Sequence, residues 1–239
     1  MTTGDMLRAA GRERPARAGR TWPERLRDNA LSLAMLGAFL TFIVLQSVFG
    51  WQVRNEELAE YGQAADSFWH YLRTGHFAEA VFENWESEFL QMGAYVLLTA
   101  YLVQRGSAES KKPDDKDRPE DDPANAGPDS PRPSRRHGFG QLLYRNSLAI
   151  VLLLFFAMSF VGHLLGGTAD YNEQQALRGQ PPVGIVEFLG SSDFWFQSMQ
   201  NWQSEFLAVG ALIVLSIFLR QHGSPESKPV TAPHGQTGE

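Results

Sequence analysis

The sequence contains no cysteine, which excludes disulfides and every metal or redox site built on thiolates. It also lacks the compact motifs of common enzymes. There is no nucleophile elbow, phosphate-binding loop, dinucleotide fingerprint or zinc-protease motif. No cofactor is implied, and the expectation is a non-enzymatic protein. His76 and Glu79 lie three apart, but two side chains do not make a metal site. Charge is scarce where apolar residues collect: no Asp, Glu, Lys or Arg interrupts residues 30–51 or 148–165. The net charge of −6 argues against a nucleic-acid partner. The first apolar run is too long for a signal peptide, and no small-residue cleavage site accompanies it, so it reads as a retained helix.

What the sequence does hold is four apolar runs separated by polar segments. About 20 apolar residues cross a hydrocarbon core of roughly 30 Å. Membrane-spanning helices are therefore expected at about 30–50, 85–103, 147–165 and 202–219, with the lipid bilayer as first partner. The second is the weakest. Its apolar core is 89–103, and it spans only if 85–88 already lie at the membrane edge. Residues 52–83 and 166–200 are loops rich in aromatics. In the first, Asn55-Glu56-Glu57 and Gly62-Gln63 read as irregular, and Phe68, Trp69 and Leu72 fit one face of a short interfacial helix. Residues 1–28, with seven arginines, the charged linker 106–144 and the tail 223–239 have the composition of disordered segments.

The chain also repeats itself. Asn84-Trp85-Glu86-Ser87-Glu88-Phe89-Leu90 returns 117 positions later as Asn201-Trp202-Gln203-Ser204-Glu205-Phe206-Leu207. The same offset, without a gap, aligns Asn29 with Asn146, Asn55-Glu56 with Asn172-Glu173, Gly62-Gln63 with Gly179-Gln180, and Gly93-Ala94 with Gly210-Ala211. Roughly a third of matched positions are identical, a duplication signal. Repeat unit 1 covers 29–105 and unit 2 covers 145–222. Of the 21 Lys and Arg, only Arg54, Arg73 and Arg178 fall in the two aromatic loops. The positive-inside rule then places both termini and the linker in the cytoplasm. The expected fold class is an all-α integral membrane protein. It has four transmembrane helices as two duplicated parallel helical hairpins, with short amphipathic helices in the outer loops.

The repeated motif has a structural reading and a functional one. Structurally, Asn84 and Asn201 cap a helix start, nearby acids favour its positive end, and Trp85 and Trp202, with Trp51, anchor the interface. Functionally, Asn84 and Glu88 share a helix face, as do Asn201 and Glu205. If both faces turn inward they form a polar site for a cation or proton. His163 is the one ionisable residue inside the third run, and its repeat mate is Gln46. It reads as an interhelical hydrogen bond or as a proton relay to a carboxylate. The small residues Ala34, Ala38, Gly93, Ala94, Gly162, Gly166, Gly210 and Ala211 let helix backbones approach closely. The preferred function is a structural or interaction protein of the membrane, with a second copy or another membrane protein as partner. The alternative is a small cation or proton transporter or channel using the paired outer Glu residues.

Arg27-Asp28-Asn29, Gly75-His76-Phe77 and the stretch from Phe82-Glu83-Asn84-Trp85 through Met92-Gly93-Ala94-Tyr95 carry a family resemblance. The chain resembles a family of uncharacterised bacterial membrane proteins defined as a domain of unknown function. The resemblance covers both repeat units and leaves out the N-terminal tail and the linker. It implies a bacterial inner-membrane location and carries no activity. Gln203 stands where the first copy has Glu86, which weakens any essential role for that acid.

Overall fold

The computed structural model describes residues 21–112, 121–135 and 137–238. The arginine-rich segment 1–20, part of the linker (113–120), Arg136 and the last residue lie outside the described residues. Among the described residues every regular element is helical. In chain order these are α1 (Trp22–Asp28), α2 (Ala30–Glu60), α3 (Phe68–Tyr71), α4 (Gly75–Tyr101), α5 (Phe139–Arg145), α6 (Ser147–Leu177), α7 (Ile185–Leu189) and α8 (Ser192–Phe218). Two short 3-10 turns, Pro123–Asn125 and Arg132–Arg135, interrupt the linker. The chain divides into two compact units, with the division inside α2 between Val53 and Arg54.

Three helices, α2, α6 and α8, are long and apolar enough to cross a membrane. Four were expected from the sequence, and α4 is the exception. Glu79, Glu83, Glu86 and Glu88 occupy its first half, so its apolar part runs only from Phe89 to Tyr101. Thirteen residues of helix rise about 20 Å, short of a hydrocarbon core of roughly 30 Å. The other three are apolar around most of their circumference. Phe42 on α2, Val161 on α6 and Leu215 on α8 are all exposed. That pattern suits an apolar surrounding better than water.

The long helices also outrun their apolar runs. Asn55-Glu56-Glu57, expected in a loop, lies inside α2, which continues to Glu60. Its end is a Schellman turn: Gln63 N–H bonds Leu58 O at 2.9 Å, Gly62 N–H bonds Ala59 O at 3.0 Å, and Gly62 has φ +66°. At the end of α6, Gln180 N–H bonds Gln175 O at 2.8 Å and Gly179 has φ +69°. Here the repeated Gly-Gln is explained, since the left-handed conformation admits glycine at little cost. Just ahead of it, Asn55 clamps its loop by accepting from Asp66 N–H at 2.7 Å and donating to Asp66 O at 3.2 Å. Asn172 does the same to Val183, at 2.7 and 3.0 Å.

The segments read as disordered carry structure where they are described. Trp22–Asp28 is a helix with Pro23 in its first turn and a Thr21–Glu24 capping box. Phe139–Arg145 is a helix. In the C-terminal tail, Lys228 Nζ donates to the carbonyls of Pro233, His234 and Gln236. Thr237 accepts from Gly106 N–H at 2.7 Å, and Gly238 N–H bonds Ser107 O.

In the unit that begins at Arg54, α4 packs chiefly along α6 and more lightly against α8. Missing side chains allow this. A Cβ on Gly75 would lie 2.5 Å from Asp170 N, and one on Gly166 2.7 Å from Glu79 N. The two backbones therefore touch, and the polar side chains beside them are enclosed. Arg54, 4% exposed, ties Glu57 at 3.1 Å to Glu173 of α6 at 2.6 Å.

Candidate functional site

Where α4, α6 and α8 meet, the interior is polar. Helical spacing brings the groups together. Glu79, Glu83 and Glu86 recur every three or four residues along α4, and His163, Asp170 and Gln174 lie along α6. Gln197 and Asn201 are one turn apart on α8. The centre is a carboxyl–imidazole pair. Glu86 Oε2 lies 2.7 Å from His163 Nδ1, and both side chains are fully buried. Trp202 Nε1–H donates to the other Glu86 oxygen at 2.9 Å. Phe194 stacks on the imidazole with centroids 4.7 Å apart.

The pair continues into a chain. His163 Nε2 meets Gln197 Oε1 at 3.1 Å, and Gln197 Nε2–H donates to Glu79 Oε1 at 2.8 Å. Because the amide oxygen only accepts, His163 Nε2 carries a hydrogen. One further proton then sits between Nδ1 and Glu86, on whichever of the two holds it. Glu79 stands six residues ahead of Trp85, before the apolar part of α4. Burial, and after it the neighbouring Asp170 carboxylate, push its carboxyl up to about 8. Asp170, 3% exposed, accepts from Gln174 Nε2–H at 2.7 Å, and its carboxyl lies within hydrogen-bond reach of the Glu79 carboxyl. Glu83, half-buried, accepts from Asn201. Four carboxyls thus share one helix junction with a single imidazole. Among the described residues, no group of three or more His, Asp or Glu is arranged to hold a metal.

The positions named from the sequence are distributed differently. His163 does meet a glutamate, but the glutamate is Glu86. Glu88 is exposed and Glu205 only half-buried; no hydrogen bond joins them, though they are near enough to repel. Asn84 and Asn201 do not cap a helix start. α4 begins nine residues before Asn84, with Thr74 accepting from Phe77 N–H, and α8 begins after Ser191, which accepts from Phe194 N–H at 3.2 Å. Asn84 instead donates back to Ala80 O at 2.8 Å within the helix. Gln46 is half-buried in the unit that ends at Val53. Trp51 and Trp85 are half-buried, while Trp202 is drawn into the site.

The small residues divide as well. Gly162 lies under the Phe82 ring, Gly166 under Ala78 and Glu79, and Gly93 against Leu152 and Leu153. Gly210 faces open space, and Ala34 and Ala211 are exposed, with Ala38 and Ala94 half-buried. Sequence reasoning missed Glu86, Gln197, Glu79, Glu83 and Asp170. At all five the second segment differs: 117 positions away stand Gln203, Ala80, Phe196, Gln200 and Val53. The junction is built from positions at which the two copies differ.

No curated protein and no solved structure matches this chain. A family model described as Domain of unknown function (DUF6766) matches residues 22–239, and the chain belongs to that family.

Proposed function

We propose that this is a non-enzymatic multi-pass membrane protein whose helix junction takes up and releases a proton at Glu86–His163, moving protons or a proton-coupled small cation across a bacterial inner membrane. One observation carries the reading: four carboxyls, Glu79, Glu83, Glu86 and Asp170, share a mostly buried junction with one imidazole, which Glu86 contacts directly. Buried charges without partners are costly, so protons or cations must make up the deficit. Ionisable groups inside membrane bundles usually mark such pathways. In this reading α4 supplies a fourth span from about Trp85, with its acids turned to the bundle rather than to lipid. The element bounds support a duplicated architecture, and the scarcity of Lys and Arg in the two aromatic loops supports cytoplasmic termini. α1, α2, α4 and the start of α3 all recur 117 residues on, as α5, α6, α8 and the start of α7. A reporter fused after Gly62 that proved cytoplasmic would sink this topology.

The test is flux in liposomes holding a pH-sensitive dye. Wild-type protein acidifies the lumen under an imposed potential. Glu86→Gln and His163→Gln lose at least tenfold, whereas Glu88→Gln and Glu205→Gln do not. Wild-type protein without flux under proton, sodium or potassium gradients overturns the proposal. A second reading would then stand, a structural or interaction protein of the envelope. It is favoured by Trp69 and Val186, 72% and 83% exposed on α3 and α7. Its own test is loss of a co-purifying membrane partner when Phe68, Trp69 and Phe77 are changed to Ala.

A further inference from the structure

A cavity of about 330 Å³ opens between the C-terminal halves of α4 and α8, away from the carboxyl–imidazole junction. It falls at the small end of ordinary ligand pockets, roughly 300–1,000 Å³. Leu98, Leu102, Phe206 and Ile213 give it apolar walls. No Lys, Arg or His lines it, and Glu109 at its rim is its one carboxyl. Tyr95 O–H donates to Glu109 at 3.1 Å. The Glu226 carboxyl stands beside Glu109, so the rim carries two acids with no cation in the lining. Gln91 is in the wall as well. It is 8% exposed, and its amide makes no hydrogen bond to any described residue. Its amide is therefore free to meet a group that enters the cavity. The α4 residues in its lining run from Gln91 to Thr99, roughly 12 Å along the helix.

We propose that this cavity binds an elongated amphiphilic amine. Its ammonium sits at Glu109 and Glu226, its apolar body lies between Leu98 and Phe206, and a hydrogen-bonding group at the far end meets the Gln91 amide. Each part of that ligand answers a feature of the wall. The cation neutralises acids that otherwise repel one another. An anion would meet only carboxylates at the rim. A neutral alkane would leave the two acids without a cation and the amide without a partner. Burial, followed by Glu226, already holds the Glu109 carboxyl above its usual range, a cost that a bound cation relieves. Binding here requires neither transport nor the proton reading of the junction.

The test uses the full chain in lipid nanodiscs and three probes of one length, titrated calorimetrically. These are aminodecanol, decanediol and hydroxydecanoate, which differ only in the charge of one end. Aminodecanol is expected to bind saturably, at least tenfold more tightly than the other two. Glu109→Gln/Glu226→Gln should abolish that preference, and Gln91→Leu should weaken aminodecanol severalfold. Gly210→Leu fills the cavity at a position where a Cβ meets nothing within 4 Å, so it folds and should lose binding. Equal, non-saturating uptake of all three probes overturns the proposal, because it is partition into lipid. Undiminished binding to Gly210→Leu overturns it too, because the ligand is then elsewhere.

Discussion

Replacing His163 with Leu should be more damaging than replacing His163 and Glu86 together. The side chains of both are fully buried and 2.7 Å apart. Removing His163 leaves a carboxylate whose one remaining partner is the Trp202 N–H. Breaking a buried pair from one side costs about 3–5 kcal/mol, whereas replacing both partners by apolar groups of similar volume is often neutral or stabilising. Glu86→Leu alone should fall between them. The imidazole becomes neutral and keeps Gln197, while its Nδ1 and the Trp202 N–H each lose a partner, so the loss is two hydrogen bonds of about 0.5–1.5 kcal/mol each. The order from most to least destabilised is therefore His163→Leu, Glu86→Leu, then the double variant. The coupling between the two sites should exceed about 2 kcal/mol, beyond the roughly 0.3–0.5 kcal/mol within which independent sites add.

Reversible unfolding of the purified protein in mixed micelles, followed by near-ultraviolet circular dichroism, measures all three variants. For a chain of this size 1 kcal/mol moves Tm by roughly 2–4 °C, so His163→Leu should lower it by on the order of 10 °C. The magnitude decides between two accounts. An ordinary hydrogen bond between membrane helices averages about 0.6 kcal/mol and reaches about 1.7. Additive losses of that size would refute the idea of a charged pair held out of water, and with it the main support for a proton site.

Packing at the junction can be tested with glycine. A Cβ on Gly162 would lie 2.5 Å from the Phe82 ring, so Gly162→Ala should cost about 1–3 kcal/mol of overpacking, while Gly210→Ala leaves Tm within a degree or two. Asn55→Ala and Asn172→Ala each remove two loop-clamping bonds. Each should cost about 1–2 kcal/mol and speed protease cleavage in its own loop alone. The third prediction concerns pH. Glu109 is held above the usual carboxylate range, first by burial and then by Glu226. A raised carboxyl stabilises the folded form while it keeps its proton, and that stabilisation fades as pH rises from about 4.3 through the raised value. Docking of the tail that carries Glu226 should therefore loosen between acid and neutral pH, seen as faster proteolysis of the tail, and Glu226→Gln should flatten the dependence.

Much of the scaffold was legible because periodic apolarity is a local property. Three of the four apolar runs are helices able to cross a membrane, and the 117-residue offset recurs in the element bounds. The helix ends were not legible, for a physical reason. Reading apolar runs finds where lipid would be and stops at the first charge. α2 and α6 continue two to three turns past that point, held by Arg54, Glu57, Glu173 and the Schellman turns. α4 starts nine residues before Asn84 because Thr74 supplies its cap. An Asn-Trp-x-Ser-Glu sequence resembles a helix start, but a residue caps only when its backbone is extended, and Asn84 is helical. The tails misled in the opposite sense. Low apolarity removes a core, yet Lys228 and Thr237 order their segment through backbone carbonyls and amides, which composition does not register.

The site was misplaced by a sound rule applied to the wrong quantity. Searching the chain for what recurs 117 positions on finds residues that shape helix ends and loops: Gly62 and Gly179, Asn55 and Asn172, Thr74 and Ser191. Glu88 and Glu205 recur as well, and neither is buried. A junction where α4 meets α6 and α8 is not symmetric, because only one copy of each helix faces it from a given side. A buried carboxylate opposite a buried imidazole requires unlike residues, and two copies of either would repel. Residues that carry such a pair must therefore differ between repeats. Gln203 opposite Glu86 and Gln46 opposite His163 are what that requirement looks like in sequence. The substitution that first argued against Glu86 is, on this reasoning, the trace of its burial. Glu79, Glu86, Asp170 and Gln197 all stand where the two segments differ, but so do roughly two thirds of the matched positions, and only the fold brings these four together.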